Sequence, residues 1–207
     1  MNNKKAVFET TYRQLLSQMA DLDLAARAER LGAKISGNEL IVPFFEQSYR
    51  VSSKGVSDRS GHRVNLAVSV VICRYVLNCP AELPADGDWM TFRDFKDAGP
   101  LAGHFTTNTN RLIATSFLGK LKQLEAAGRA LGGQYETDDP TYDLIMAFNA
   151  FPEVPLSLRF NDQDEDFPAQ CALLFRKSAE TYLDLEGLTI VGTFLAGNLI
   201  QFGRNIS

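Results

Sequence analysis

Apolar residues recur at helical spacing over residues 4–19, where Phe8, Tyr12, Leu15, Leu16 and Met19 fall together. That spacing predicts an amphipathic helix. A second helix is predicted through Leu24, Ala28 and Leu31, with Asp21 and Asp23 as candidate caps and Gly32 as a left-handed stop. The period then changes. In AKISGNELIVPFF, Gly37-Asn38 separates two β-prone runs and reads as a hairpin. QSYRVSS at 47–53 adds a third strand through Tyr49 and Val51, and KGVSDRSG at 54–61 reads as a loop of turn formers.

Residues 62–79, HRVNLAVSVVICRYVLNC, predict a helix that buries Val64, Val68, Val71, Ile72 and Tyr75 and stops at Pro80. PAELPADGDW is an irregular link. Thr91 then caps a short helical turn that ends at Gly99-Pro100. Between Thr107 and Leu131, the positions of Ile113, Phe117, Leu121, Leu124 and Leu131 predict one long amphipathic helix, closed by Gly132-Gly133. Strands are expected over Thr141–Phe148, over PLSLRF at 155–160, and over Gln170–Phe175. Leu156, Leu158 and Phe160 alternate with Ser157 and Arg159, the pattern of a half-exposed antiparallel sheet. Helices near 178–185 and 188–202 follow. Helices and strands therefore come in blocks, which predicts an α+β fold with antiparallel sheets against several helices. One compact domain over 1–207 is expected, with an N-terminal helix-plus-hairpin lobe over 1–60.

Composition narrows the class. In 207 residues, 45% are hydrophobic and 14 are Phe, enough for a sizeable core. The net charge of −4 gives no overall field to attract nucleic acid or an anionic membrane. The uncharged run Gly187–Gly203 falls short of the ~20 residues of a usual membrane span and contains Thr, Asn and Gln, so it reads as an apolar core helix. Three cysteines, an odd and sparse set, fit a reducing compartment, and the N-terminal residues show no apolar signal core. A soluble, cytoplasmic protein is expected.

Candidate chemistry is thin. FNDQDEDFPAQ holds Asp162, Asp164, Glu165 and Asp166. The 1-3-5 spacing of the aspartates opens an EF-hand loop, but Phe167 stands where that loop needs Gly and Leu173 where it needs Glu. An acidic turn between strands is the plain reading; a carboxylate cation site or acid–base pair stands beside it. His62 lies with Asp58, Arg59 and Arg63 at the expected helix start, where free N–H groups can hold an anion. His104 lies in the loop-like GPLAGHF. Trp89 clusters with Phe92 and Phe95, as a loop anchor or a pocket wall. Cys73, Cys79 and Cys171 lack metal-site spacing, and no metal site is assigned. Gly192, Ala196 and Gly197 let helices approach closely, within the chain or in a homodimer.

The block FPEVPLSLRFNDQDEDFPAQCALLFRKSAETYL, with DWMTFRDF, GPLAGHF and LGG upstream, resembles a family of domains of unknown function from anaerobic bacteria and archaea. Some members of that family are joined to iron–sulfur modules of the corrinoid-protein type. The resemblance implies an anaerobic cytoplasmic setting and a protein partner carrying a metal cofactor. It supplies no catalytic residue and no intrinsic cofactor.

Three readings of function stay open. The first is a non-catalytic accessory or interaction domain linked to anaerobic metal-cofactor or one-carbon metabolism. The second is a small-molecule binder or enzyme using the 162–166 loop or His62, with Trp89 in its pocket. The third is a homo-oligomer formed through the last helix. Whether the chain is an enzyme is left undecided.

Overall fold

The first amphipathic pattern forms helix α1, Asn2–Met19. The computed structural model describes residues 2–137 and 139–205, with side chains from Ala6 onward. Tyr12, Leu15, Leu16 and Met19 join the core, and α1 lies along α3, Leu66–Leu77. Between them, α2 (Leu24–Ala28) starts at Asp23, whose carboxylate accepts the N–H of Ala26 at 3.1 Å. A 3-10 turn then ends at Gly32 with φ 56°. That backbone region favours glycine, and an added side chain would also meet Pro152.

The first sheet is an antiparallel meander of β1 (Lys34–Ser36), β2 (Glu39–Phe44), β3 (Gln47–Ser52) and β4 (Gly55–Ser57). Gly37-Asn38 is its first turn, as the pattern predicts. Leu40, Val42, Phe44, Tyr49, Val51 and Val56 are buried, following the two-residue period of the pleat. The expected loop 54–61 contains β4, too short to carry a visible period. The β2–β3 turn places Phe45 at φ 49°, a rare region for a bulky residue. Two contacts hold it there. Its N–H donates to the Ala150 carbonyl at 2.8 Å, and its ring stacks on Phe194 at 5.3 Å.

Helix α3 begins four residues later than expected. Asn65 caps it by accepting the Ala67 N–H at 2.8 Å, while Arg63 bridges back to Ser57 in extended backbone. His62 is therefore not at a helix start. At the other end Arg27 donates to the Val76 and Leu77 carbonyls, satisfying acceptors that a helix C-terminus leaves free. Tyr75 ties α3 to both halves of the chain: its hydroxyl donates to the Leu31 carbonyl at 2.9 Å, and its ring stacks on Phe151 at 4.1 Å.

The second sheet has the order β5-β9-β8-β7-β6 and is antiparallel throughout. Its strands are β5 (Trp89–Thr91), β6 (Gln134–Glu136), β7 (Leu144–Phe151), β8 (Val154–Asn161) and β9 (Gln170–Arg176). β5 and β6 were not expected. β7 lies three residues beyond its predicted span. The face of Ser157 and Arg159 is less open than the alternation suggests: Ser157 is buried, and Arg159 lies over the Tyr142 ring and pairs with Asp139 at 3.3 Å.

The long helix expected near 107–131 is instead three helices: α4 (Gly99–Asn108), α5 (Asn110–Ser116) and α6 (Leu121–Ala130). Gly99-Pro100 opens α4, with proline in its first turn where a missing N–H costs nothing. The first break is at the buried Thr109, at φ −126° and ψ −82°, whose hydroxyl donates to the Phe105 carbonyl. The second is at Gly119, at φ 69°. Ile113, Phe117, Leu121 and Leu124 are all buried or half-buried, so the apolar period runs through the second break without showing it.

α7 (Ala179–Tyr182) leads into α8 (Leu185–Asn205). By length and composition α8 is long and apolar enough to cross a membrane. Here Leu188, Val191, Leu195 and Leu199 form a buried stripe against α3, α4, α5 and α6, while Gly197, Gln201 and Phe202 are exposed. One hydrophobic cluster runs from Met19 and Leu31 through both sheets to Leu199. Two antiparallel sheets packed with these helices make an α+β fold, as the element order predicts.

Candidate anion-binding cleft

A cavity of about 630 Å³ opens where α1 crosses the β3–β4 turn and the extended run into α3. Its floor begins with Tyr12. The phenol oxygen accepts the Val56 N–H at 2.8 Å, and Ser69 lines the cavity beside it. Burial raises the Tyr12 pKa above its ordinary value, more than the Val56 N–H lowers it. Tyr12 therefore stays a neutral phenol at physiological pH. Gly55 follows from the same contact: an added side chain would sit 2.9 Å from the Tyr12 hydroxyl. Ser69 is buried on α3, one turn in from the cap.

The walls carry charge. Arg13 comes from α1, Lys54 from the β3–β4 turn and Arg63 from the extended run. Glu9 and Glu39 also line the cavity, but Glu39 is taken by Arg50 at 3.3 Å. Among the described residues, none of the three cations has a carboxylate within ion-pair distance. The first turn of α3 adds free backbone N–H groups, because Asn65 satisfies that of Ala67 while Leu66, which borders the cavity, lies before it. Three unpaired cations outnumber the one unpaired carboxylate, Glu9, and with a neutral phenol and a helix N-terminus they make an environment suited to an anion.

The residues singled out from sequence lie outside this cleft: Asp162 and Asp164 border a separate cavity of about 440 Å³ with Asp143 and Phe167, and His62 and Trp89 line neither cavity. Asp162 turns back into the protein: its carboxylate accepts the Gly119 N–H at 2.8 Å and so holds the α5–α6 join. Asp164 accepts the N–H groups of Asp166 and Phe167 at 2.8 and 2.7 Å, which closes the turn on itself. Glu165 and Asp166 are exposed. Among the described residues no three His, Cys, Asp or Glu side chains gather to hold a metal ion. His62 is exposed, with Nδ1 3.6 Å from Asp58. Its backbone N–H donates to Asp58, which depresses that carboxylate's pKa. Trp89 lies at the edge of the second sheet under the Arg176 guanidinium at 4.1 Å, whereas Phe92 is buried and stacked on Phe105. Cys73 is buried, its thiol pushed up to about 12, and burial raises Cys171 as well.

Of the polar group expected around His62, Arg63 alone reaches the cleft. Arg59 instead donates to Ser48 at 3.2 Å. Tyr12, Arg13, Lys54 and Ser69 were not foreseen. One signal was present: Lys54, Arg59 and Arg63 fall within ten residues of an acidic chain, among Gly55 and Gly61. Tyr12 is hidden because its helical spacing marks it as core, which it also is.

The fold and this site define an α+β domain with a cation-lined, solvent-open cleft beside its first sheet. Residues 23–198 match the family model described as Domain of unknown function (DUF3786), and the chain belongs to that family. The resemblance read from the sequence holds at that level. No curated protein and no solved structure matches the chain.

Proposed function

We propose that this protein is a binding module for a small anionic ligand, held in the cleft among Arg13, Lys54 and Arg63. One observation carries the reading. Arg13 on α1 and, some forty to fifty residues on, Lys54 and Arg63 bring three cations to the same cavity, and none of these cations has a carboxylate partner among the described residues. In a chain of net charge −4, such a cluster gives the cleft a local positive character that the overall charge does not supply. The volume of about 630 Å³ falls within the range of small-molecule sites. An accessory role, expected from the resemblance, suits a module that binds rather than transforms its ligand.

The test is a titration of the protein with inorganic phosphate and pyrophosphate, followed by amide chemical shifts. Saturable shifts are expected at residues 54–57 and 66–69. Arg63→Ala should weaken binding about tenfold, the scale of a lost hydrogen bond to a charged group. Arg59→Ala, which removes an equal charge outside the cleft, should have little effect. Equal effects of the two variants, or no saturable binding, would refute the reading.

A further inference from the structure

The cleft beside α1 is far larger than an inorganic anion. A water occupies about 30 Å³ in the liquid. On that scale the five heavy atoms of phosphate fill roughly a quarter of a cavity of about 630 Å³. The remaining lining is apolar in part. Leu16 stands about one turn beyond Arg13 on α1, and Val64 and Leu66 follow Arg63 along the run into α3. All three residues are half-buried, so each keeps apolar surface that a ligand can cover. Cations and apolar side chains thus face the same space.

The charges of the site leave an excess of two. Arg13, Lys54 and Arg63 supply three positive charges. Glu39 is neutralised by Arg50, and Glu9 alone supplies one negative charge. A carboxylate or a sulfate ester brings a single negative charge. A phosphate monoester brings about −1.5 to −2 at pH 7, with three strong acceptor oxygens. Those oxygens match the forked donors of Arg13 and Arg63 and the point charge of Lys54.

We propose that the cleft takes a small phosphate monoester with an apolar, ring-sized body. The phosphate sits among Arg13, Lys54 and Arg63, and the body lies against Leu16, Val64 and Leu66. This rests on the anion reading of the cleft and adds to it the dianionic head and the apolar body.

The experiment titrates the full chain, with labelled methyl groups, separately with 1-naphthyl phosphate, 1-naphthyl sulfate, glucose 6-phosphate and inorganic phosphate. Saturable one-to-one binding of naphthyl phosphate is expected, with methyl shifts at Leu16, Val64 and Leu66. Its affinity should exceed those of inorganic phosphate and glucose 6-phosphate by at least about tenfold. Tenfold is about 1.4 kcal/mol, the burial of roughly 55 Å² of apolar surface. Naphthyl sulfate, with the smaller charge, should bind at least about fivefold more weakly than naphthyl phosphate. Val64→Ser should weaken naphthyl phosphate about threefold and leave inorganic phosphate unchanged; should that variant fail to fold, the four ligands on the wild-type chain still decide. A groove of about 400 Å³ on the other side of α1, between α3, α4 and α8, is the control, and its Val70, Leu101 and Ile190 methyl groups should stay unmoved. Naphthyl phosphate that binds no better than inorganic phosphate or glucose 6-phosphate would overturn the proposal and leave the anion reading standing. Naphthyl sulfate bound as tightly as naphthyl phosphate would overturn it too, as would shifts confined to the groove. No saturable binding of any of the four would overturn the anion reading itself, and this proposal with it.

Discussion

Two glycines on α8 should respond in opposite directions to the same substitution. Gly192 is buried, and a methyl group there would sit 2.6 Å from Cε2 and 2.9 Å from Cζ of Phe105, and 3.0 Å from Cγ2 of Thr109. Gly197, five residues on, is exposed and would meet nothing within 4 Å. Alanine favours a helix over glycine by about 1 kcal/mol. At Gly197 that gain is unopposed, so Gly197→Ala should stabilise the protein by about 1 kcal/mol. At Gly192 the methyl group needs roughly 1 Å of movement to reach ordinary carbon contact. Phe105 cannot yield cheaply. It is stacked on Phe92 at 4.2 Å and packed against Phe175 at 5.9 Å. Overpacking of this kind costs about 1–3 kcal/mol; taking the upper end against the helix gain, Gly192→Ala should cost about 2 kcal/mol.

For a chain of this size each kcal/mol moves Tm by about 2–4 °C. Urea unfolding followed by circular dichroism, with a thermal melt beside it, should put the two variants about 3 kcal/mol apart on opposite sides of wild type. Phe105→Leu in the Gly192→Ala background should recover part of the loss, because the clash is with the ring edge. A Gly192→Ala protein as stable as wild type would refute the packing argument. A destabilised Gly197→Ala protein would show that the open face of α8 is covered in solution, which returns the small-residue stripe to the homodimer reading.

Two further outcomes follow from the titrating groups. Asp94 closes a capping box: its carboxylate accepts the Thr91 hydroxyl at 2.7 Å and the Thr91 N–H at 2.9 Å, and these bonds, the hydroxyl first, hold its pKa below the ordinary carboxylate range. A depressed folded-state pKa stabilises above the unfolded value and is lost as pH falls through the folded one. Asp94→Asn should therefore flatten the loss of stability below about pH 4, and an unchanged slope in urea melts at pH 5 and pH 3 would refute it. With the thiols, mass spectrometry after brief alkylation of the native protein should find Cys79 labelled before Cys73, because Cys73 is buried and its thiol is pushed up to about 12; labelling in the reverse order would contradict the packing of α3.

What sequence could show here was set by how local each signal is. The first hairpin was legible because Gly37-Asn38 and the alternation through Val42 and Phe44 act within a few residues. The breaks in the predicted 107–131 helix were not. Gly119 turns the chain in register with an unbroken apolar stripe, and what fixes it is the distant Asp162 carboxylate. β5 is three residues long and exists because β9 offers an edge. The acidic run drew attention because its charges are adjacent, yet Asp162 and Asp164 are spent on backbone N–H groups. Arg13 and Arg63 show the reverse: fifty residues separate them, and only the lie of α1 along α3 makes them one site.

That helix explains why the groove can serve as a control for the cleft. At 100° per residue, Glu9, Tyr12, Arg13 and Leu16 fall on one side of α1, and Val7, Phe8 and Thr11 on the other. The first set walls the cleft and the second walls the groove. Between them Tyr12, Leu15, Leu16 and Met19 seat the helix on the core, so the apolar stripe seen in sequence blends a packing face with the flanks of two cavities. α3 is divided in the same way, with Ser69 towards the cleft and Val70 and Arg74 towards the groove. α1 precedes the family-matched residues 23–198, whereas Lys54, Arg63, Ser69, Leu101 and Glu186 lie within them. The matched part thus carries one wall of each cavity, and α1, resting on α3, completes both. A change at Arg63 or Glu186 touches one cavity alone. A change on the seating face of α1 must disturb both, and that is how a loss of binding through misplacement of the helix is told from the loss of a ligand contact.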